Sequence, residues 1–201
     1  MNLEHVDLGL PSGTLWAKCN LGAEKESDFG KFFQWGDTQG YSGVDEHQFS
    51  WEDYRWGTID NLTKYNNTDG LTTLQDEDDA VFVATGGKMR MPTKEQLQEL
   101  IDHTDHEWTA IDGVNGMKFT NKSDVTKHIF IPTAGMCVGG HHLNVNAWGI
   151  LWSSSIFNLY GLDDDHHCAQ TFYFGESKMY IVHSLRCAAY SLRGVSNTQK
   201  K

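Results

Sequence analysis

The chain has 201 residues, of which 39% are hydrophobic, 12% aromatic and 21% charged, and its formal net charge is −11. This length suits one domain that buries most of its apolar surface, and disordered chains lack such an aromatic content. Nucleic-acid backbones and anionic membrane surfaces attract basic proteins, so the acidic balance argues against nucleic-acid binding and membrane insertion. No apolar run approaches the roughly 18 residues that a membrane span needs.

The beginning of the chain predicts strands and ordered loops. It lacks the basic and apolar segments of a signal peptide, so we expect no targeting segment there. Residues 1–22 predict a strand, a turn and a second strand, because alternating apolar residues stand on both sides of a Pro-Ser-Gly sequence. Residues 29–75 carry many aromatic residues without a clean period, which predicts short strands joined by long packed loops.

Two later segments have the start and stop signals of helices. The acidic residues 76–79 are expected in the first turn of a helix that continues through residues 80–84 and ends at a Gly-Gly pair. Thr93 and Gln96 fit a capping box for the second helix, and apolar residues at i, i+3 and i+4 follow. We expect this apolar stripe to face the core.

Beyond residue 105, short apolar runs alternate with turns. These runs predict strands at residues 117–120, 129–132, 149–155 and 190–195, and a hairpin made by residues 171–174 and 179–182. We therefore predict one α+β domain over residues 1–195, with two helices packed on short antiparallel strands and long ordered loops. Residues 196–201 are predicted to form a flexible tail.

The cysteines and arginines are expected to be structural. Cys19, Cys137, Cys168 and Cys187 form no close pair in the sequence, which argues against a zinc site built from cysteines. A bridge between Cys168 and Cys187 and four buried free thiols both remain open. Three arginines, Arg90, Arg186 and Arg193, are expected to pair with buried carboxylates or carbonyls.

Ordered blocks of sequence resemble a known family, the Fibrobacter succinogenes major paralogous domain. The blocks that carry the resemblance are VDLGLPSGTLWA at residues 6–17, FQWGDT at 33–38, DDA at 78–80, GGKMRMPT at 86–93, IFIPTAG at 129–135 and LWSSS at 151–155, followed by Arg186 and by Leu192-Arg193. The resemblance implies a C-type lectin-like fold, in the variety shared with formylglycine-generating enzymes. It covers residues 3–195 as a single C-type lectin-like domain.

The resemblance also implies a function. Such a scaffold holds a variable surface of C-terminal strands and loops, and some related members are variable proteins of diversity-generating retroelements. Adenine mutation of an AAC codon does not reach Lys, Glu, Gln, Met or Trp, and residues 156–190 contain 4 of these in 35, against 11 in 35 for residues 93–127. An ordinary β-rich segment poor in Lys and Glu explains the difference equally well.

The resemblance therefore predicts a non-enzymatic ligand-binding domain that recognises a receptor. The expected partner is a protein or glycan on a bacterial cell surface, and the expected location is a phage virion, at its tail, or the surface of a bacterium of the Bacteroidetes. Tyrosine suits such a face because it offers a large rigid contact and a hydroxyl group. The predicted ligand-binding residues lie in the C-terminal third: Ile156, Phe157, Asn158, Tyr160, Asp164, His166, His167, Tyr173, Tyr180, His183 and Tyr190.

Other functions were weighed against this prediction. A formylglycine-generating type of enzyme would depend on Cys168 or Cys187, and a structural module of a phage particle would tolerate changes at surface tyrosines. Residues 163–165 are three adjacent acids that could bind calcium, but such acids are more often solvated. We expect no catalytic residue, metal site or cofactor. Homo-oligomerisation stays open.

Overall fold

The computed structural model describes residues 4–157 and 166–197 of a mostly-β protein. Strands make up 42% and helices 10% of its residues. The strands are β1 (His5–Asp7), β2 (Thr14–Asn20), β3 (Phe32–Gln34), β4 (Gly57–Thr58), β5 (Asn61–Leu62), β6 (Thr104–Ile111), β7 (Val114–Asn121), β8 (His128–Pro132), β9 (Met136–Val138), β10 (His141–Leu143), β11 (Gly149–Ile156), β12 (Cys168–Gly175), β13 (Lys178–Leu185), β14 (Ala189–Ser191) and β15 (Arg193–Asn197). The helices are α1 (Ala80–Thr85) and α2 (Lys94–His103).

The largest sheet is mixed and curls into a half-barrel. Its strand order is β10-β9-β14-β11-β12-β13, and β3 pairs with β14. Neighbouring strands are antiparallel except for β11 and β14, which are parallel where Leu151 lies opposite Ser191. The other sheets of the described residues are the three-stranded sheets β1-β2-β15 and β6-β7-β8 and the short β4-β5 hairpin.

The predicted α+β, C-type lectin-like class is wrong. The two helices have 6 and 10 residues, and they pack into different hydrophobic clusters, so they do not form a helical layer. The parallel pairing of β11 and β14 also contradicts a fold of antiparallel strands alone. Helix capping signals in the sequence are strong, but they report where a helix begins and not how much of the chain is helical.

The local predictions for the two helices were closer. Thr93 and Gln96 form the expected capping box at the start of α2. The acidic residues precede α1: residues 76–78 form a 3-10 turn, and the Asp79 carboxylate caps α1 by accepting hydrogen bonds from the backbone amides of Val81 and Phe82. α1 ends at Gly86, whose φ of 62° is a left-handed conformation that glycine adopts without strain.

Most predicted strands are present, with two changes near the end of the chain. The hairpin of residues 171–174 and 179–182 is confirmed as part of β12 and β13. The predicted strand at residues 190–195 is divided into β14 and β15, which belong to different sheets. β15 continues through Asn197, where it pairs with Thr14, so residues 196 and 197 are not tail.

The strand register divides the large sheet into two faces. One face, here named the helix face, carries Leu151, Phe172 and Ile181 and packs with α2 and β7 around one hydrophobic cluster. The opposite face, here named the aromatic face, carries Trp152 and Tyr173, because neighbouring residues of a strand point to opposite sides. The aromatic face is therefore the side of the sheet that faces away from α2.

Candidate functional site

Tyr173 and Tyr180 lie directly opposite each other on β12 and β13. Tyr173 is half-buried, and the side chain of Tyr180 is 43% exposed. Trp148, which precedes β11, packs against Tyr173 with 4.6 Å between the ring centroids and 34° between the ring planes. The three rings occupy neighbouring positions at the open end of the aromatic face.

The packing of Trp148 depends on the small residues beside it. A Cβ atom added to Gly175 would lie 2.8 Å from the Trp148 ring. A Cβ atom added to Gly149 would lie inside the ring of Phe174 on the helix face. These glycines therefore let aromatic rings cover both faces of the sheet at the same end of β11 and β12.

An open cavity of about 480 Å³ lies at the Leu185 end of β13, and Tyr190 of the aromatic face lines it. Its apolar lining includes Met136 and Val138 of β9, Leu185 of β13 and Tyr190 of β14. Polar groups of His167, His183 and Ser184 also line it. A mostly apolar concavity with a few polar groups is the usual form of a site that holds a ligand or an anchoring side chain.

Tyr190 forms the floor of this cavity and belongs to the core. It is 4% exposed, and its ring lies 4.6 Å from that of Trp152. Burial raises the pKa of Tyr190 to about 12, although a hydrogen bond with the Ser184 side chain opposes the shift. Tyr190 thus presents only a small part of its surface to a partner.

Exposed apolar side chains gather on β13. Tyr180, Val182 and Leu185 are each 37–43% exposed. Tyr180 and Val182 share the aromatic face, because they pair with Tyr173 and Thr171 of β12. Contiguous exposed apolar surface on a soluble protein is a sign of an interaction site.

The structure does not bring the predicted site residues into one surface. Tyr173, Tyr180 and Tyr190 share the aromatic face, and His167 lines the cavity beside them. Ile156 is 7% exposed and belongs to the core, so it is unsuited to contact a ligand.

Phe157 and His183 form a separate unit on the helix side of β13. Their rings stack with centroids 4.0 Å apart and planes 16° apart, and both line a groove beside α2. The predicted hairpin strand ended at residue 182, and the structure extends β13 to Leu185, which includes His183. Asn158, Tyr160 and Asp164, and the acidic residues 163–165, lie outside the described residues.

The segment that carries His166 is held by a buried arginine. The Arg186 guanidinium donates to the backbone carbonyls of Lys64, Tyr65 and His166 and to the hydroxyl of Tyr54, at 2.8–3.0 Å. Arg186 is 0% exposed. The predicted structural role of Arg186 is confirmed, and its partners are carbonyl and hydroxyl oxygens instead of carboxylates.

Several residues of this surface were missed at the level of sequence. Trp148, Met136, Val138, Val182 and Leu185 all line or flank the tyrosines. Val182 could have been predicted, because it stands two residues from Tyr180 in a predicted strand and alternate residues of a strand point to the same face. Met136 and Val138 could not be found in this way, because β14 joins β9 to the rest of the sheet through pairings of distant residues.

The thiols of this region are not arranged for nucleophilic chemistry. All four cysteines are buried and none forms a disulfide, so a Cys168–Cys187 bridge is absent. Burial raises the pKa of Cys187 to about 12, which leaves almost no thiolate at neutral pH. Within residues 4–157 and 166–197, no three His, Cys, Asp or Glu side chains come close enough together to hold a metal ion.

In comparisons with known proteins, no family model, no curated protein and no solved structure matches the chain. The resemblance to the Fibrobacter succinogenes major paralogous domain therefore stays a prediction. Among the described residues, no helix has the length and apolar character to cross a membrane.

Proposed function

We propose that this protein is a non-enzymatic recognition domain that binds a partner through the aromatic face of its large sheet. The observation that carries the proposal is the group of Trp148, Tyr173 and Tyr180 on the aromatic face, together with an open apolar cavity that Tyr190 of the same face lines. The proposed partner is a protein or glycan on a bacterial cell surface, met by a phage tail or by a bacterial surface protein. The proposal rests on this surface and not on a lectin-like fold.

The chemistry of the surface suits recognition. Tyrosine and tryptophan supply broad contact area, lose little conformational entropy on binding and keep a polar group at the edge of an apolar ring. The neighbouring cavity can take an anchoring group of the partner, with Ser184 and His167 available for hydrogen bonds. The high pKa of Cys187 argues against the alternative of a thiol-dependent enzyme.

The proposal is tested by binding of the labelled protein to a panel of intact gut bacteria. A Tyr180→Ala/Val182→Ala variant removes exposed side chains of the surface, and a Val83→Ala/Val125→Ala variant removes exposed side chains elsewhere as a matched control. We expect strain-selective binding that the first variant loses and the second keeps. Both variants are checked for unchanged thermal unfolding, because a folding defect would also abolish binding.

Two other results would contradict the proposal. Binding that survives the Tyr180→Ala/Val182→Ala change would place the recognition site on another surface. Absence of binding to every strain would favour a structural module of a larger particle.

A further inference from the structure

Strand β13 is an edge of the large sheet with hydrogen-bonding groups that face outward. It has eight residues, pairs with β12 in an unbroken register and is the last strand in the sheet order. The amide of Arg186 donates to the carbonyl of His167. Successive residues of an antiparallel strand point their backbone groups alternately toward and away from the partner strand, so this bond shows which residues of β13 face β12. By this alternation, the backbone groups of Met179, Ile181 and His183 point away from β12.

This edge lacks the features that usually prevent pairing with another chain. Edge strands are commonly short, bulged, interrupted by proline or lined with charge. β13 has no proline and no bulge, and Lys178 is its single Lys or Arg residue. Within the described residues, no other strand pairs with its outer side. The edge can therefore accept one further strand.

A groove of about 610 Å³ lies where the side chains of such a strand would go on the helix face. Its β13 wall is formed by Ile181 and by His183, which is stacked on Phe157. Its other wall is the exposed side of α2. Residues that lie opposite each other in paired strands point to the same face, so side chains opposite Ile181 and His183 would enter this groove.

The α2 wall carries more negative than positive charge. Glu95, Glu99 and Asp102 line the groove, against the single lysine Lys94 among the residues of that wall. Glu99 accepts hydrogen bonds from Ser12, and these neutral donors leave its charge in place. A cationic side chain in the groove would meet this negative wall, whereas an acidic one would be repelled.

We propose that the outer edge of β13 binds an extended segment of a partner protein by antiparallel strand addition, and that this segment alternates basic and apolar residues. Its basic side chains would enter the groove toward Glu95 and Asp102. Its apolar side chains would lie on the other face, beside Tyr180 and Val182. The backbone bonds would supply affinity and the alternating side chains specificity.

Charge argues against a second copy of the chain as the occupant. Antiparallel pairing of β13 with β13 of a second copy would join the two large sheets with their helix faces on the same side. The α2 helices of the two copies would then lie near each other, one on each side of the paired strands. Each copy would bring Glu95, Glu99 and Asp102, on a protein of net charge −11. Such like charges repel each other, and a basic segment removes the repulsion.

The test uses a fluorescent, terminally blocked peptide with four lysines and three valines in alternation, measured by anisotropy at low ionic strength. In the antiparallel register the lysine amides donate to β13 and the valine amides point away. We expect N-methylation of the three internal amides that belong to lysines to abolish binding, and N-methylation of the valine amides to leave it. A peptide with glutamate in place of lysine should not bind.

Matched protein variants locate the charge. Glu95→Gln/Asp102→Asn should weaken binding about fivefold, since each exposed ion pair contributes roughly 0.5 kcal/mol. Glu52→Gln/Asp60→Asn removes the same charge from exposed residues outside the groove and should leave binding unchanged.

Three results would overturn the inference. The first is equal affinity of the Glu95→Gln/Asp102→Asn and Glu52→Gln/Asp60→Asn variants for the peptide. The second is loss of binding when the valine amides of the peptide are N-methylated. The third is a dimer in sedimentation that forms through β13 and excludes the peptide. The inference shares Tyr180 and Val182 with the proposed function, but different measurements test the two. Loss of binding to bacteria in the Tyr180→Ala/Val182→Ala variant tests the aromatic face, whereas sensitivity to lysine N-methylation tests the edge.

Discussion

The segments that carry Trp35 and Trp152 are joined by two indole hydrogen bonds that run in opposite directions. The Trp35 indole donates to the carbonyl of Ser153 at 2.8 Å, and the Trp152 indole donates to the carbonyl of Phe33 at 2.9 Å. Both indoles are 0% exposed. Each ring thus satisfies a backbone carbonyl one or two residues from the other tryptophan, and the pair fixes the segment that carries β3 and Trp35 against β11.

Replacement of Trp35 by phenylalanine should lower the free energy of unfolding by about 2–4 kcal/mol. The substitution removes the donor to the Ser153 carbonyl and leaves a void in the core. Urea unfolding followed by circular dichroism measures the loss. Trp51→Phe is the matched control, because Trp51 is half-exposed, and its effect should stay below about 1 kcal/mol. Equal losses in the two variants would contradict the importance of the paired indoles.

Arg186→Lys should lower the free energy of unfolding more than a substitution that keeps the charge normally does. The guanidinium makes four hydrogen bonds in fixed directions, to the oxygens of Tyr54, Tyr65, His166 and Lys64. A lysine ammonium has three donors and cannot reach all four acceptors, so we expect a loss of about 3 kcal/mol or more. Chemical denaturation measures it.

The control for this change is Arg90→Lys. Arg90 is about half-exposed and pairs with Asp76 at 2.9 Å. Surface pairs contribute little, so this substitution should change the free energy of unfolding by less than about 1 kcal/mol. A similar effect of the two substitutions would show that the burial of Arg186 does not matter.

Substitutions of Tyr190 and Tyr180, two of the three described tyrosines on the aromatic face, should lower the free energy of unfolding by different amounts. Tyr190→Ala empties part of the core beside Trp152 and should cost about 3–4 kcal/mol in unfolding free energy. Tyr180→Ala removes a side chain that is 43% exposed and should cost below about 1 kcal/mol. Thermal unfolding of both variants checks the difference. The reverse order would contradict the burial of Tyr190 and the exposure of Tyr180.

Stability should fall at alkaline pH because of the buried thiols. Burial raises the pKa of Cys137 and Cys187 to about 12 from an ordinary value of 9.0. The unfolded thiols lose protons before the folded ones do, so their contribution is complete below pH 9.0 and is lost as pH rises toward 12. Each thiol should contribute a decrease of about 1 kcal/mol between about pH 8 and about pH 10.

Urea midpoints across that pH range measure the decrease, and Cys187→Ala should reduce it. Alkylation by iodoacetamide gives an independent reading: the four thiols should react slowly in the folded protein and quickly in urea. Rapid reaction of Cys187 in the folded protein at neutral pH would contradict its raised pKa and would revive the thiol-dependent enzyme.

Local features of the fold were predictable from sequence, and its overall class was not. The capping box of Thr93 and the hairpin of β12 and β13 depend on neighbouring residues, so their signals are short-range. The parallel contact between Leu151 and Ser191 joins residues 40 positions apart, and no local pattern marks it. The fraction of the chain in strands depends on many such pairings, which explains why the predicted α+β class failed.

The candidate site shows the same division. The family resemblance and the suitability of tyrosine for recognition pointed to Tyr173 and Tyr180, which the structure places opposite each other on β12 and β13. Sequence reasoning could not exclude Ile156, whose apolar character fits a binding residue and a core residue equally. It also could not find Val138, which comes near Tyr190 because β9 pairs with β14.

The central position of β14 has a consequence for how the protein is made. This strand joins β9 and β3 to β11, so the two parts of the large sheet stay separate until residues 189–191 have been synthesised. The cavity between β9 and β13 cannot form earlier, since Met136 and Leu185 lie on different parts. A ribosome-bound chain that stops before β14 would display an apolar edge in place of a binding surface. The proposed recognition surface would therefore be completed in one late step of folding, together with protection of that edge from aggregation.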